Sequence, residues 1–118
     1  MSSSAWQLPG RRGVAIACVG EEEHVDALLR AALATRRSIP PIEEQARVLI
    51  VPEPDAIRVY SEQGDPLAAL PRDDEIEQRA AVERYVAERG ELWCDARITG
   101  RESLGGQWRM QIWVYLDL

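Results

Sequence analysis

Ile50-Val51-Pro52-Glu53-Pro54-Asp55-Ala56-Ile57-Arg58-Val59-Tyr60 is the stretch on which the fold turns. A β-branched run stops at Pro52-Glu53-Pro54, because proline has no N–H to give a sheet and keeps the residue before it extended. A second run begins at once. In it Ile57 and Val59 alternate with Arg58 and Tyr60, the period of a strand with one buried and one outward face. The reading is strand, sharp elbow, strand.

Toward the C-terminus, Glu62-Gln63-Gly64-Asp65 has the composition of a hairpin turn, with glycine where positive φ is needed. Leu67 to Leu70 follows as another short strand. Pro71-Arg72-Asp73-Asp74-Glu75 then opens a helix, with Asp73 as the expected N-cap and acids in the first turn, where the macrodipole favours them. That helix runs through Ile76, Ala80, Val82, Tyr85 and Val86 to Gly90, the expected C′ residue. Beyond it, Leu92, Cys94, Ala96 and Ile98 alternate with Trp93, Asp95, Arg97 and Thr99. Trp108 to Leu118 alternates in the same way, so a glycine-rich turn joins a β-hairpin. A turn centred near Ser103 places Trp93 opposite Trp113 on the outer face, where aromatic cross-strand pairs contribute about 0.2–1 kcal/mol.

Toward the N-terminus, Arg47 to Val51 is the strand that enters the elbow. Before it, Val25, Leu28, Leu29, Ala32 and Leu33 recur at helical spacing. Glu21-Glu22-Glu23 sits at the start of that helix, Arg36-Arg37 past its end, and Ser38-Ile39-Pro40-Pro41 stops it. Val14 to Val19 is a short apolar first strand before Gly20. Met1 to Arg11 reads as a flexible lead-in that Trp6 tacks to the body. The expected order is β-α-β-β-β-α-β-β. This is a mainly β chain with two helices (α+β), a single domain over residues 12–118 whose six short strands close into a small barrel.

The chain has 118 residues and a net charge of −6. All 14 basic residues are arginine, which binds phosphate through a planar fork and stacks on bases. Residues 1–60 hold 7 Arg against 8 acids, and residues 61–118 hold 7 against 12, so a nucleic-acid surface is expected in the first half. No apolar run approaches the roughly 20 residues that span a bilayer. Met1-Ser2-Ser3-Ser4 lacks the features of a signal peptide, and the expectation is a cytoplasmic chain. Cys18 and Cys94 have no metal-ligand or disulfide spacing and read as reduced, buried thiols. His24 is the only histidine and has no second ligand or nucleophile beside it. Gly105-Gly106 lacks the Gly-Lys and following helix of a phosphate loop. No catalytic constellation, metal site or cofactor site is read, so the expectation is a binding module and not an enzyme.

Two groups of candidate residues remain. Arg36, Arg37, Arg47 and Arg58, with Tyr60 and Asp55, form a candidate nucleic-acid surface, and a positive groove between the first helix and the third strand is its expected mark. Trp93, Trp113 and Tyr115 are outward aromatics and form a candidate partner or dimer interface, since such residues anchor protein contacts.

The order of the motifs resembles the core of the HIRAN domain. The residues that carry this resemblance are Gly20 after the first strand, Glu53-Pro54 at the elbow, Asp55, Ala56-Ile57, Val59, Gly64 and Leu70-Pro71-Arg72 before a helix. The resemblance spans residues 12–118 and rests on order, since no single piece is specific. It implies a six-stranded, OB-like barrel with two helices. It also implies binding of the 3′ end of single-stranded DNA, in DNA processing or repair, beside a DNA-processing protein, as in family members attached to helicase-like remodelling enzymes or nucleases. Some bacterial members stand alone. Two elements line the family's DNA pocket. Its aromatic and basic stretch after the first strand is replaced here by Glu21-Glu22-Glu23-His24, and its Asn-x-x-Asp loop is reduced to Asp55. Three carboxylates repel a phosphate backbone, so weaker binding is expected. The competing expectation is a protein-interaction or homo-oligomerisation module.

Overall fold

In the computed structural model, residues 14–33, 42–102, 105 and 107–118 are described. Their elements are β1 (Val14–Ala17), a 3-10 turn (Glu21–Glu23), α1 (Val25–Leu33), β2 (Ile42–Pro52), β3 (Ile57–Tyr60), β4 (Pro66–Ala69), α2 (Arg72–Arg89), β5 (Leu92–Glu102) and β6 (Trp108–Leu116). The lead-in with Trp6, Arg36-Arg37, the Ser38 to Pro41 stop and Ser103 lie outside the described residues.

The strands form one six-stranded antiparallel sheet in the order β1-β6-β5-β2-β3-β4. It curls into a barrel-like half-cylinder, and Val19, two residues past β1, forms an antiparallel bridge with Ala69, the last residue of β4. Their reciprocal N–H to carbonyl bonds are 2.8 and 2.9 Å long. The inward positions, among them Ile16, Val48, Ile50, Ile57, Val59, Ala96, Ile98, Ile112 and Val114, make the core. The alternation in sequence therefore sets which face is inside, because a one-residue slip would put every one of these side chains in water.

At the elbow, β2 ends at Pro52 and β3 starts at Ile57. The Glu53 N–H donates to the Ala56 carbonyl at 2.9 Å, and the Ala56 N–H returns to the Glu53 carbonyl at 3.3 Å, which closes the bend. The following turn is built on Ser61, whose buried hydroxyl accepts the N–H groups of Gln63 and Asp65 at 3.2 and 3.1 Å. Gly64 has φ 92°, a conformation that side-chain-bearing residues rarely adopt.

Several expectations are corrected. β2 is longer than Arg47 to Val51 because Ile42-Glu43-Glu44-Gln45 pairs with Gly100 to Arg97, so a polar stretch is held in strand by its neighbour. The β5–β6 register pairs Ile98 with Ile112 and Arg97 with Trp113. Trp93 instead pairs with Leu49 of β2, so the turn centre lies two positions later than Ser103. The N-cap of α2 is Pro71, with no side-chain cap bond, and Asp73 lies inside the first turn. Ile76 is 66% exposed and Ala80 is exposed, because only Val82, Tyr85 and Val86 share the face that meets the core. In α1 the buried face is Ala27, Leu28, Ala31 and Ala32, while Val25 and Leu29 are only partly covered. Glu21 is not an exposed helix-start acid. It is 7% exposed in its own 3-10 turn, which His24 separates from α1.

Candidate functional site

The elbow gathers Glu53, Asp55, Arg58 and Tyr60, but as a closed network. Arg58 donates from Nε to Glu53 and from its terminal nitrogen to Asp55, each at 2.9 Å. The Tyr60 hydroxyl donates to the other Glu53 oxygen. From α2, Arg79 donates to the Glu53 carbonyl at 2.9 Å and to Glu75 and Glu83 at 2.7 and 3.0 Å. The Arg58 hydrogen bond holds the Asp55 carboxyl below the usual range, and the bond to Glu53 pushes the Tyr60 hydroxyl up. Every cation here is matched by acids. The geometry ties the elbow to α2 and leaves no guanidinium unmatched for phosphate.

Arg47 lies elsewhere. The hollow between α1 and the β3–β4 turn, about 230 Å³, is lined by Arg47 with Glu62 and Asp95, so it is not the expected positive groove. A second hollow of about 370 Å³ beside the 3-10 turn is lined by Glu22, Glu23, Asp26 and Asp65 with His24 and Arg30.

The outward face of β2, β5 and β6 is different. Arg47 stacks over the Trp93 ring with its guanidinium 5.0 Å from the centroid, and Arg97 stacks over Trp113 at 5.5 Å. Such pairs contribute about 0.5–1 kcal/mol when exposed. Tyr115 and Trp113 stand on neighbouring outward positions of β6, paired with Ala15 and Ala17 of β1, and both are partly buried. The structure thus joins Arg47, expected on a nucleic-acid surface, to Trp93, Trp113 and Tyr115, expected on a partner interface. Arg36 and Arg37 lie outside the described residues.

The same face carries residues that charge counting by halves overlooks. Arg101 and Arg109 are direct cross-strand partners, and Thr99 and Gln111 are the next outward pair. With Arg97 and Glu43 they line a hollow of about 520 Å³. Glu43 is bound to Arg97 at 2.8 Å. Among the described residues no ion pair is made by Arg101 or Arg109, and the buried Arg97 Nε has no hydrogen-bond partner. The signal in sequence is the alternation Arg97-x-Thr99-x-Arg101 facing Arg109-x-Gln111. It gathers cations on one face of a segment that is acidic on average.

Among the described residues no group of three or more His, Cys, Asp or Glu is placed to hold a metal ion. No helix among them is long and apolar enough to cross a membrane. Comparison with protein-family models, with curated proteins and with solved structures returned no match.

Proposed function

We propose that this chain is a non-enzymatic binding module that holds single-stranded nucleic acid against the outer face of β2, β5 and β6. The observation that carries the reading is the pair of Arg–Trp stacks, Arg47 on Trp93 and Arg97 on Trp113, on one outward sheet face. Bases stack on aromatic rings for about 1–3 kcal/mol each whatever their sequence, and the exposed Arg47 supplies positive charge beside them, Arg97 being bound to Glu43. The reading treats the barrel-like sheet as OB-like and the chain as a divergent HIRAN-like module acting on DNA ends. The motif order of residues 50–72 supports that part. The binding surface it assigns is the sheet face, because the elbow residues Asp55, Arg58 and Tyr60 are occupied by one another and by Glu53.

The test is titration of the protein with single-stranded oligonucleotides at low salt, read by tryptophan fluorescence and by anisotropy of the labelled strand. Quenching that weakens in W93F and W113F is expected. Arg47→Ala should lower the slope of log affinity against log salt by about 1. No change in either signal up to about 100 μM, the weak end of non-specific binding, refutes the reading.

A second reading, a self-association module, draws on Trp113 and Tyr115 standing side by side and outward. It requires a mass above that of one chain by light scattering, and a monomer at high concentration excludes it.

A further inference from the structure

We infer that Arg101 and Arg109, with Thr99 and Gln111 beside them, form a seat for a phosphate monoester at the hairpin end of the sheet face. Directly opposed like charges destabilise a β-ladder, since the two side chains start about 5 Å apart. This pair is nonetheless placed at the last outward rung before the β5–β6 turn. The one acid lining the hollow, Glu43, is engaged by Arg97 at 2.8 Å. The hollow therefore holds two arginines in excess of its acids, with the Thr99 hydroxyl and the Gln111 amide as neutral donors on the next rung.

A phosphomonoester carries about −1.5 to −2 charges at neutral pH and three acceptor oxygens, which balances two guanidinium groups. A phosphodiester inside a strand carries one charge and balances only one of them. The arginine fork gives the bidentate geometry that phosphate accepts. The seat also lies at one end of the face. Arg101 is four residues along β5 from Arg97, about 13 Å at strand rise, so it adjoins the Arg97–Trp113 stack without overlapping it. Assignment of the phosphate to the terminus of a bound strand rests on the nucleic-acid reading above. The seat itself rests on the Arg101–Arg109 rung. Free phosphate or a mononucleotide offers the same chemistry.

The experiment uses the whole chain and R101Q/R109Q. Three oligonucleotides of one sequence are compared by anisotropy: unphosphorylated, 5′-phosphorylated and 3′-phosphorylated. Inorganic phosphate is titrated separately, with Tm as the readout. The expected result is binding about tenfold tighter for one phosphorylated strand, with the preference erased in R101Q/R109Q. A phosphate-dependent rise in Tm of the unaltered chain only, without end preference, also supports the seat and assigns it to free phosphate. Equal affinity for all three strands with no effect of phosphate on Tm overturns the seat and leaves nucleic-acid binding standing. Absence of strand binding together with a phosphate-dependent Tm rise supports the seat and removes the nucleic-acid reading.

Discussion

Replacing Glu21 by methionine removes the acceptor that finishes the β6 ladder. β1 ends at Ala17, and the Cys18 N–H still donates to the Ile112 carbonyl at 3.0 Å. The Ile112 N–H, however, is taken by the Glu21 carboxylate at 3.2 Å, in the place a strand carbonyl would fill. Methionine has similar volume and no strong acceptor, so E21M leaves that buried N–H unsatisfied at a cost of about 1–3 kcal/mol. With an unfolding entropy of about 2.1 cal/mol/K per residue, 118 residues give about 0.25 kcal/mol/K, so Tm should fall by about 4–12 °C.

E21Q is the control, because its amide oxygen still accepts from Ile112 and cannot ionise. Burial raises the Glu21 pKa above its ordinary value of 4.5, with Glu22 adding to the rise. The folded state thus holds the proton more tightly than the unfolded chain. The stability contributed by this group is complete below about pH 4.5 and is lost as pH rises through the folded value. E21Q should match the unaltered protein in mild acid and exceed it at neutral pH. Urea unfolding at both pH values measures this. If E21M unfolds no more easily than E21Q, the Ile112 N–H does not depend on Glu21 and the reasoning fails.

Arg101→Glu should convert the opposed Arg101–Arg109 rung into a complementary pair and raise Tm by about 2 °C while abolishing any response to phosphate. An unchanged or lowered Tm would show that the two arginines do not repel. Val82 is fully buried on a helix that is otherwise mostly polar, so V82A should cost about 1.6 kcal/mol for two methyl groups, plus a cavity contribution, in urea unfolding. Burial pushes the Cys94 thiol up to about 12 and raises Cys18 as well, so both should label slowly with an alkylating reagent near pH 8 until denaturant is added. Prompt labelling of the folded protein would contradict the burial.

The parts of the fold legible in sequence are those fixed by local chemistry. Ile57 and Val59 alternate, Pro52-Glu53-Pro54 ends the β2 ladder at its first proline, Gly64 permits the turn, and Gly90 ends α2. Each of these is decided within a few residues. What was not legible depends on partners distant in the chain. Ile42 to Gln45 is a strand because β5 pairs with it. Glu21 is buried because β1 peels away and leaves the Ile112 N–H to be satisfied. The candidate site divides in the same way. Arg58, Tyr60 and Asp55 are adjacent in sequence and do meet, but in ion pairs and hydrogen bonds with Glu53 and one another. The pairing of Arg47 with Trp93 and of Arg97 with Trp113, and the facing of Arg101 by Arg109, all depend on sheet register. A turn centre misplaced by two positions is enough to hide them.

The bridge between Val19 and Ala69 determines how a ligand can approach. β1 and β4 are the edge strands, each four residues long, and the end of β4 is joined to Val19 just past β1 by reciprocal backbone bonds. A peptide that added itself as a further strand would need a long unpaired edge, and a second copy stacking edge to edge would need the same. At β1 and β4 the sheet offers only short ones, and its longer open edge is Ile42 to Val48 of β2, which no strand among the described residues pairs on the β3 side. A ligand arriving at β1 or β4 is therefore met by side chains of the outer face, where stacking and charge decide over backbone pairing.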